Sequence, residues 1–406
     1  MSMRTCVVPL SRTETRRHGP RWGFVAAYLA FMASTSGTGP WGWENAHAKL
    51  DGEPWASALE IACYTDALWL DGDVASGPYT AMVPLALTDY QPERFGEPRM
   101  GLVIRIDRHL SNSDPGDYID EAWNQLDIKV AHGGDAGEEL AALLSLALGI
   151  RLRAGGISRV FQPDDPDDRG YPHQVERPAP YLPQPARRPM LPYTMIRPVT
   201  LEAASAFLDI YPRLSPKQAL GLVRAARSYQ DALWIADSDP RLAWLRLVSA
   251  IEAVAQLRPE GQAEQTLTAA HPEIAQRLSD ADDPELTRLV TKLLVQQGRA
   301  TAKFLGFLKA YGPRRPDQRP ERRYQINWNE LQDQLRAVYG YRSSDLHSGI
   351  PIPWVMCEPP FLSRAGRAPE RVWVPAAWQG NVPMHLHMFE FLVRKSLQTW
   401  WRSLGS

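Results

Sequence analysis

The sequence predicts an α+β protein, a mixed α/β N-terminal part followed by an all-α helical bundle, and three observations predict it. Short stretches before residue 162 alternate with the two-residue period of strands, clearest in "MGLVIRID", where Leu102, Ile104 and Ile106 oppose Arg105 and Asp107. Ten prolines then crowd between Pro163 and Pro198, fixing φ and removing backbone donors. Beyond them, Ser215-Pro216, Asp239-Pro240 and Asp283-Pro284 each pair an N-cap residue with proline at the first helical position, ahead of a 3.6-period apolar stripe.

The elements follow in order. "ALEIACY" and "YTAMVPLAL" are weaker strand candidates before "MGLVIRID". Asp135 and Glu138 resemble a capping box, and the run behind them places Leu140, Leu143, Leu144 and Leu148 on one face before Gly149 stops it. The helix behind Ser215 aligns Leu222, Ala226, Tyr229 and Leu233, and the next aligns Trp244, Val248, Ile251 and Ala255. The Asp283 signal opens a helix that can run to Tyr311 before Gly312. Asn327 and Glu330 cap a fourth, and a last helix spans Met384 to Leu404. Four or five antiparallel helices in this length make a bundle.

The chain thus reads as an N-terminal extension (1–50), a mixed α/β domain of unknown role (51–162), a Pro-rich linker (163–198) and the bundle (199–406). The extension carries the apolar run "FVAAYLAFMA" behind Arg16, Arg17 and Arg21, with Ala46-His47-Ala48 placed like a cleavage site. It reads as a signal, an upstream start or part of the fold, and the run is too short to span a bilayer as a helix. Three scattered cysteines, Cys6, Cys63 and Cys357, fit a reducing, cytoplasmic setting, with secretion as the alternative. A net charge of −1 gives no general affinity for polyanions, so nucleic-acid binding needs a local patch.

The residues that could do chemistry gather late in the chain. "AVYGYRSSDLHSG", from Ala337 to Gly349, carries Arg342 and His347 where a helix should stop. Five positions correspond to about 140° around a straight helix, so the two would not share a face. Gly340, Gly349 and Pro351 lead us to expect a helix that distorts or ends there and swings both side chains into one cleft, or a two-fold contact that does the same. Glu252 lies close to the apolar face of its helix, where an unpaired carboxylate is costly. It reads either as a partly exposed acid at the stripe's edge or as a carboxylate reaching a cation in the bundle interior, with Arg342 the natural candidate.

In this setting "SYQDALWIADSDPRLAWLRLVSAIEAVAQL" followed by "YGYRSSDLHSG" resembles the HEPN superfamily, in particular its ApeA-like branch, over roughly residues 215 to 400. The matching positions are Tyr229, Ala232, Leu233, Arg241, Ile251, Glu252, Arg342, Ser343 and His347. The resemblance implies a HEPN-like bundle acting as a dimeric, metal-independent RNA endonuclease, with Arg342 and His347 catalytic and Ser343 and Glu252 supporting. It also implies no cofactor, RNA as partner, and a role as a bacterial antiphage-defence or toxin-type effector. It says nothing about the N-terminal half, which is read separately as a sensor, regulator or targeting module on which a regulator or trigger acts. An RNA 2′-hydroxyl would attack the adjacent phosphate, Arg342 stabilising the charge that develops and His347 moving the proton. Two positions depart from the family pattern: Ser343 stands where Asn or Asp is common, and Ser348 separates the histidine from Gly349. A non-catalytic RNA-binding or protein-interaction scaffold stays open beside the nuclease, as does a secreted protein whose helices only mimic the motif.

Other features are weaker. "GPRRPDQRPERR" holds five arginines against two acids, and Arg314, Arg315, Arg322 and Arg323 could meet RNA phosphates, extended by Arg364, Arg367 and Arg371. Solvated surface explains the same run. His385-Leu386-His387 lacks a third ligand of fitting spacing, so a structural role is expected and no metal site is assigned. Trp400-Trp401 is expected to pack the bundle or a dimer seam. Without a P-loop, G-x-G-x-x-G or H-E-x-x-H, nucleotide-binding and zinc-hydrolase readings lack support.

Overall fold

Cross-strand pairing of β-branched and aliphatic residues builds the sheet. In the computed structural model β1 (Ser57–Thr65) pairs antiparallel with β5 (Arg99–Arg108), setting Leu59 opposite Ile106, Ile61 opposite Ile104 and Cys63 opposite Leu102. All six side chains are buried, so the alternation in "MGLVIRID" does mark the inward face. The model describes residues 39–84, 98–109, 136–163, 169–172, 180, 189–192, 194, 197–257, 272–281, 283–315, 325–360 and 382–405.

β6 (Arg153–Phe161) flanks β1 on its other side. With β3 (Asp73–Ser76), β4 (Tyr79–Met82) and β7 (Tyr171–Pro172), the antiparallel order is β3-β4-β5-β1-β6-β7. The two-residue strands β2 (Leu70–Asp71) and β8 (Val199–Thr200) form a separate parallel pair. β7 lies inside the Pro-rich stretch, which therefore does hold a short piece of regular structure. Pro172 fits there because β7 is an edge strand, where a missing donor is tolerated.

Helix α1 (Trp41–Leu50) lies within residues 1–50 and belongs to the fold. Glu139 is buried and accepts from the backbone N–H of Gly42 at 2.7 Å and of Trp41 at 3.2 Å, placing a carboxylate on the positive end of α1. Ala46 and Ala48 are buried in this helix, so cleavage at Ala46-His47-Ala48 would remove packed core. The run Phe24 to Ala33 and Cys6 lie outside the described residues, within which no helix is long and apolar enough to cross a membrane.

α2 (Ala136–Leu148) is not the amphipathic helix expected from its leucines. Every residue but Glu138 is buried, because the sheet covers one side and α4 (Pro216–Ile235) the other. Gly149 ends it at φ +67°, a conformation that disfavours a side chain. The short α3 (Ser205–Leu208) leads into the long helices.

Ser215 caps α4 through a full capping box with Gln218, and Asp239 caps α5 (Pro240–Ala255) by accepting from Leu242 N–H at 2.9 Å. α6 (Pro272–Ala281) was not anticipated, whereas Asp283 caps α7 (Pro284–Tyr311) as expected. Asn327 caps a 3₁₀ turn, Trp328–Glu330, that runs straight into α8 (Leu331–Ser348). α9 (Leu386–Ser403) closes the group. α9 packs on α5 and α7, and α8 on α5 and α7. Aromatic rings fill the seams: Trp244 stacks on Phe389 at 4.8 Å, and Trp400 and Trp401 pack on Phe307 and Phe207 inside the chain.

The elements before and after the Pro-rich stretch fall in one compact unit. Polar bonds join them. Arg151, between α2 and β6, donates to Asp66 at 2.6 Å, Asp237 at 2.7 Å and the Leu233 carbonyl at 2.7 Å. Gln230 and Trp234 of α4 both donate to the Leu152 carbonyl, and Gln398 of α9 donates to those of Leu146 and Ala147.

Candidate functional site

α8 buries Leu335, Val338 and Tyr339 against its neighbours, and this orients everything after them. Residues three apart on a helix are neighbours on one face, so Arg342 follows Tyr339 and Asp345 follows Arg342 along the packed side. The Tyr339 hydroxyl donates to one Glu252 carboxylate oxygen at 2.8 Å, and the Arg342 guanidinium donates to the other at 2.7 Å. The pair is largely sheltered, its side chains 19% and 21% exposed, and the Arg342 guanidinium also sits 5.5 Å from the Tyr339 ring centre. Burial, followed by the Glu252 bond, pushes the Tyr339 phenol well above its ordinary range, so it remains a donor. Asp345 is buried and ion-paired with Arg241 from the first turn of α5.

The helix does not give way between the arginine and the histidine, contrary to expectation. It continues to Ser348, with Gly349 at φ +65° closing it and the Ile350 N–H returning to the Ser344 carbonyl at 3.3 Å. Gly340 is accommodated inside the helix, and open space faces it. Arg342 and His347 therefore diverge by about 140° and about 7.5 Å along the axis. The first faces Glu252 and the second is exposed.

His347 falls instead on the same side as Ser343, four residues earlier. Arg336, Gly340, Ser343 and His347 form a continuous stripe that is exposed except at half-buried Ser343. Leu346, near the end of the same helix, and Ile350 and Trp354 in the segment after it are exposed.

Arg314 and Arg315 are exposed where α7 ends. Arg322, Arg323, Arg364, Arg367 and Arg371 lie outside the described residues. His385 and His387 are buried with ring centres 6.1 Å apart, and His385 meets the Glu358 carbonyl at 3.3 Å. Among the described residues no group of His, Cys, Asp and Glu is arranged to hold a metal ion. Tyr339, Asp345 and their bonds were not read from the sequence, although the three-residue spacing through Arg342 is the signal that would have found them.

The chain was compared with protein-family models, curated proteins and solved structures, and none matches.

Proposed function

We propose that the protein is a cytoplasmic, HEPN-type RNA endonuclease of the defence or toxin-effector kind, acting through Arg342 and His347 in a cleft between two copies of the chain. The observation that carries this reading is the Glu252–Arg342 pair on neighbouring helices, with His347 exposed on the next turn of the same helix. A carboxylate that grips one side of a guanidinium leaves its remaining N–H groups oriented for a phosphoryl oxygen.

Because α8 is straight, one chain directs its arginine and histidine to different sides. The reading therefore requires a second subunit whose Arg342 side lies against this chain's His347 stripe, so that each cleft takes its arginine from one copy and its histidine from the other. Gly340 and Ser343 permit a close helix approach there, with open space facing Gly340. In the shared cleft the 2′-hydroxyl attacks the adjacent phosphorus and the P–O5′ bond breaks, leaving a 2′,3′-cyclic phosphate and a 5′-hydroxyl. Arg342 meets the charge on the non-bridging oxygens, and His347 moves a proton between the attacking and leaving oxygens. Ser343, on the His347 side, is placed to contact the phosphate or its neighbour.

The engagement of Arg342 with Glu252 and Tyr339 favours a second reading, in which the pair only locks α8 to α5 and the exposed stripe binds RNA or a protein partner without cleavage. One assay separates them. Purified protein is incubated with labelled RNA or DNA in EDTA, beside Arg342→Ala and His347→Ala. RNA cleavage to cyclic-phosphate ends that both substitutions abolish supports the nuclease, with toxicity on expression relieved by His347→Ala as companion. Binding without cleavage supports the scaffold.

A further inference from the structure

Away from α8, a second set of cations is built into the junction of α2, α4 and α9. Arg394 of α9 is buried, and its Nε donates to Glu390 at 2.7 Å. Tyr229 of α4, wholly buried, donates to the same carboxylate oxygen at 2.6 Å. Arg197 arrives from the segment before β8 and donates to the Leu148 carbonyl at the end of α2. A Cβ placed on Gly149 would lie 2.9 Å from Arg394 Nε and 3.1 Å from Arg197 Nη2, so the two guanidinium groups are close neighbours across that glycine. Lys395 follows Arg394 on α9 and is half-buried.

The charges here do not balance. Glu390 faces Arg394, Arg197 and Lys395, and one of its oxygens is already shared by Tyr229 and Arg394. Two buried guanidinium nitrogens, Arg394 Nη1 and Arg197 Nε, have no hydrogen-bond partner among the described residues. An unmet charged donor away from water is costly. The strain registers on the neighbours: burial and then Arg394 hold Arg197 below its ordinary range, and burial and then Arg394, Arg197 and Arg402 push Lys395 down to about 8.

We propose that Arg197, Arg394 and Lys395 form a binding site for a small phosphate-bearing ligand at the crossing of α9 over the end of α2. Planar guanidinium groups match the oxygens of a phosphoryl group, and a dianion offsets the two cations left over after Glu390. Arg394 forms the floor. Arg197 and Lys395 are half-buried and stay within reach of solvent. The ligand would tie α2 to α9, and so the part before the Pro-rich stretch to the part after it. This site is independent of the nuclease reading.

The test uses the full chain at constant ionic strength, with chloride replaced stepwise by inorganic phosphate or, in a second arm, adenosine 5′-monophosphate. Calorimetry is expected to show saturable binding, and Tm to rise by about 2 °C near saturation. Binding of phosphate alone identifies the free ion, and binding of the nucleotide alone identifies a phosphate ester. The double variant Arg197→Gln, Lys395→Gln is expected to weaken binding at least tenfold. A measurement without variants accompanies it: phosphate should slow acylation of Lys395 by an amine reagent at pH 8, read by peptide mass spectrometry. No saturable binding of either probe, equal affinity in the double variant, or an unchanged acylation rate would overturn the proposal.

Discussion

Arg342 on α8 donates to Glu252 on α5 across 2.7 Å, in a position where each side chain is about four-fifths sheltered from water. The same carboxylate holds the Tyr339 hydroxyl, so it is the acceptor for two donors from one helix. Glu252→Ala leaves a guanidinium and a phenol without their acceptor. It should lower stability by about 2–3 kcal/mol in urea unfolding, as charged hydrogen bonds of this kind do. Tyr339→Phe should lose about 1 kcal/mol, since it removes one donor and leaves the ion pair standing.

Arg151 joins two carboxylates that come from opposite sides of the Pro-rich stretch, Asp66 near the sheet and Asp237 after α4. Arg151→Met strands Asp66, which is fully buried, and should cost about 3–5 kcal/mol. The triple variant Arg151→Met, Asp66→Asn, Asp237→Asn should recover part of that loss, because it removes the uncompensated charges as well.

The same contacts predict that residues 199–406 do not fold alone. Cut away from α2 and β6, Gln230 and Trp234 lose the Leu152 carbonyl, Gln398 loses two carbonyl partners, and the buried face of α4 meets water. The isolated fragment is expected to lack a cooperative thermal transition by circular dichroism, whereas the full chain shows one.

The helices after residue 199 could be read in advance because their start signals act locally. Ser215, Asp239 and Asp283 bond backbone N–H groups within three residues of themselves, and Gly312 and Gly349 end their helices through their own backbone. What joins the two halves was not readable. α2 carries leucines and alanines around most of its circumference, and nothing local reveals that the sheet covers one side and α4 the other. Within the site, the pairing of Glu252 with Arg342 was one of two readings open for a carboxylate near an apolar face, where leaving it unpaired is costly. The unbroken helix did not follow, because one exposed glycine costs only about 1 kcal/mol and the packing of Leu335, Val338 and Tyr339 overrides it.

Gly149 stands at φ +67° with Arg394 Cδ only 2.7 Å from where its Cβ would be. Gly149→Ala should therefore destabilise the protein by about 2–3 kcal/mol, part from the left-handed backbone and part from displacing a buried arginine. Gly340→Ala is the control. Its backbone is helical and space is open, so alanine there should stabilise by up to about 1 kcal/mol. Equal effects at both positions, measured by urea unfolding, would contradict this account.

Lys395 gives the pH dependence a definite sign. Its ammonium is held at about 8 in the folded protein against an ordinary value of 10.5, first by burial and then by Arg394, Arg197 and Arg402. Between those two values the unfolded chain binds the proton and the folded chain does not, so this group makes stability rise with pH across that window. Below pH 8 both states carry the charge, and the full cost of sheltering it falls on the folded state. Lys395→Met should thus be more stable than the parent at pH 7, and the difference should shrink as pH rises toward 10. Because the side chain is half-buried, solvent screens part of the effect and keeps it small. Comparing the two proteins in phosphate-free buffer cancels every other titrating group. A stability difference that stays constant from pH 7 to 10 would show that Lys395 keeps its ordinary proton affinity and that the neighbouring arginines do not act on it.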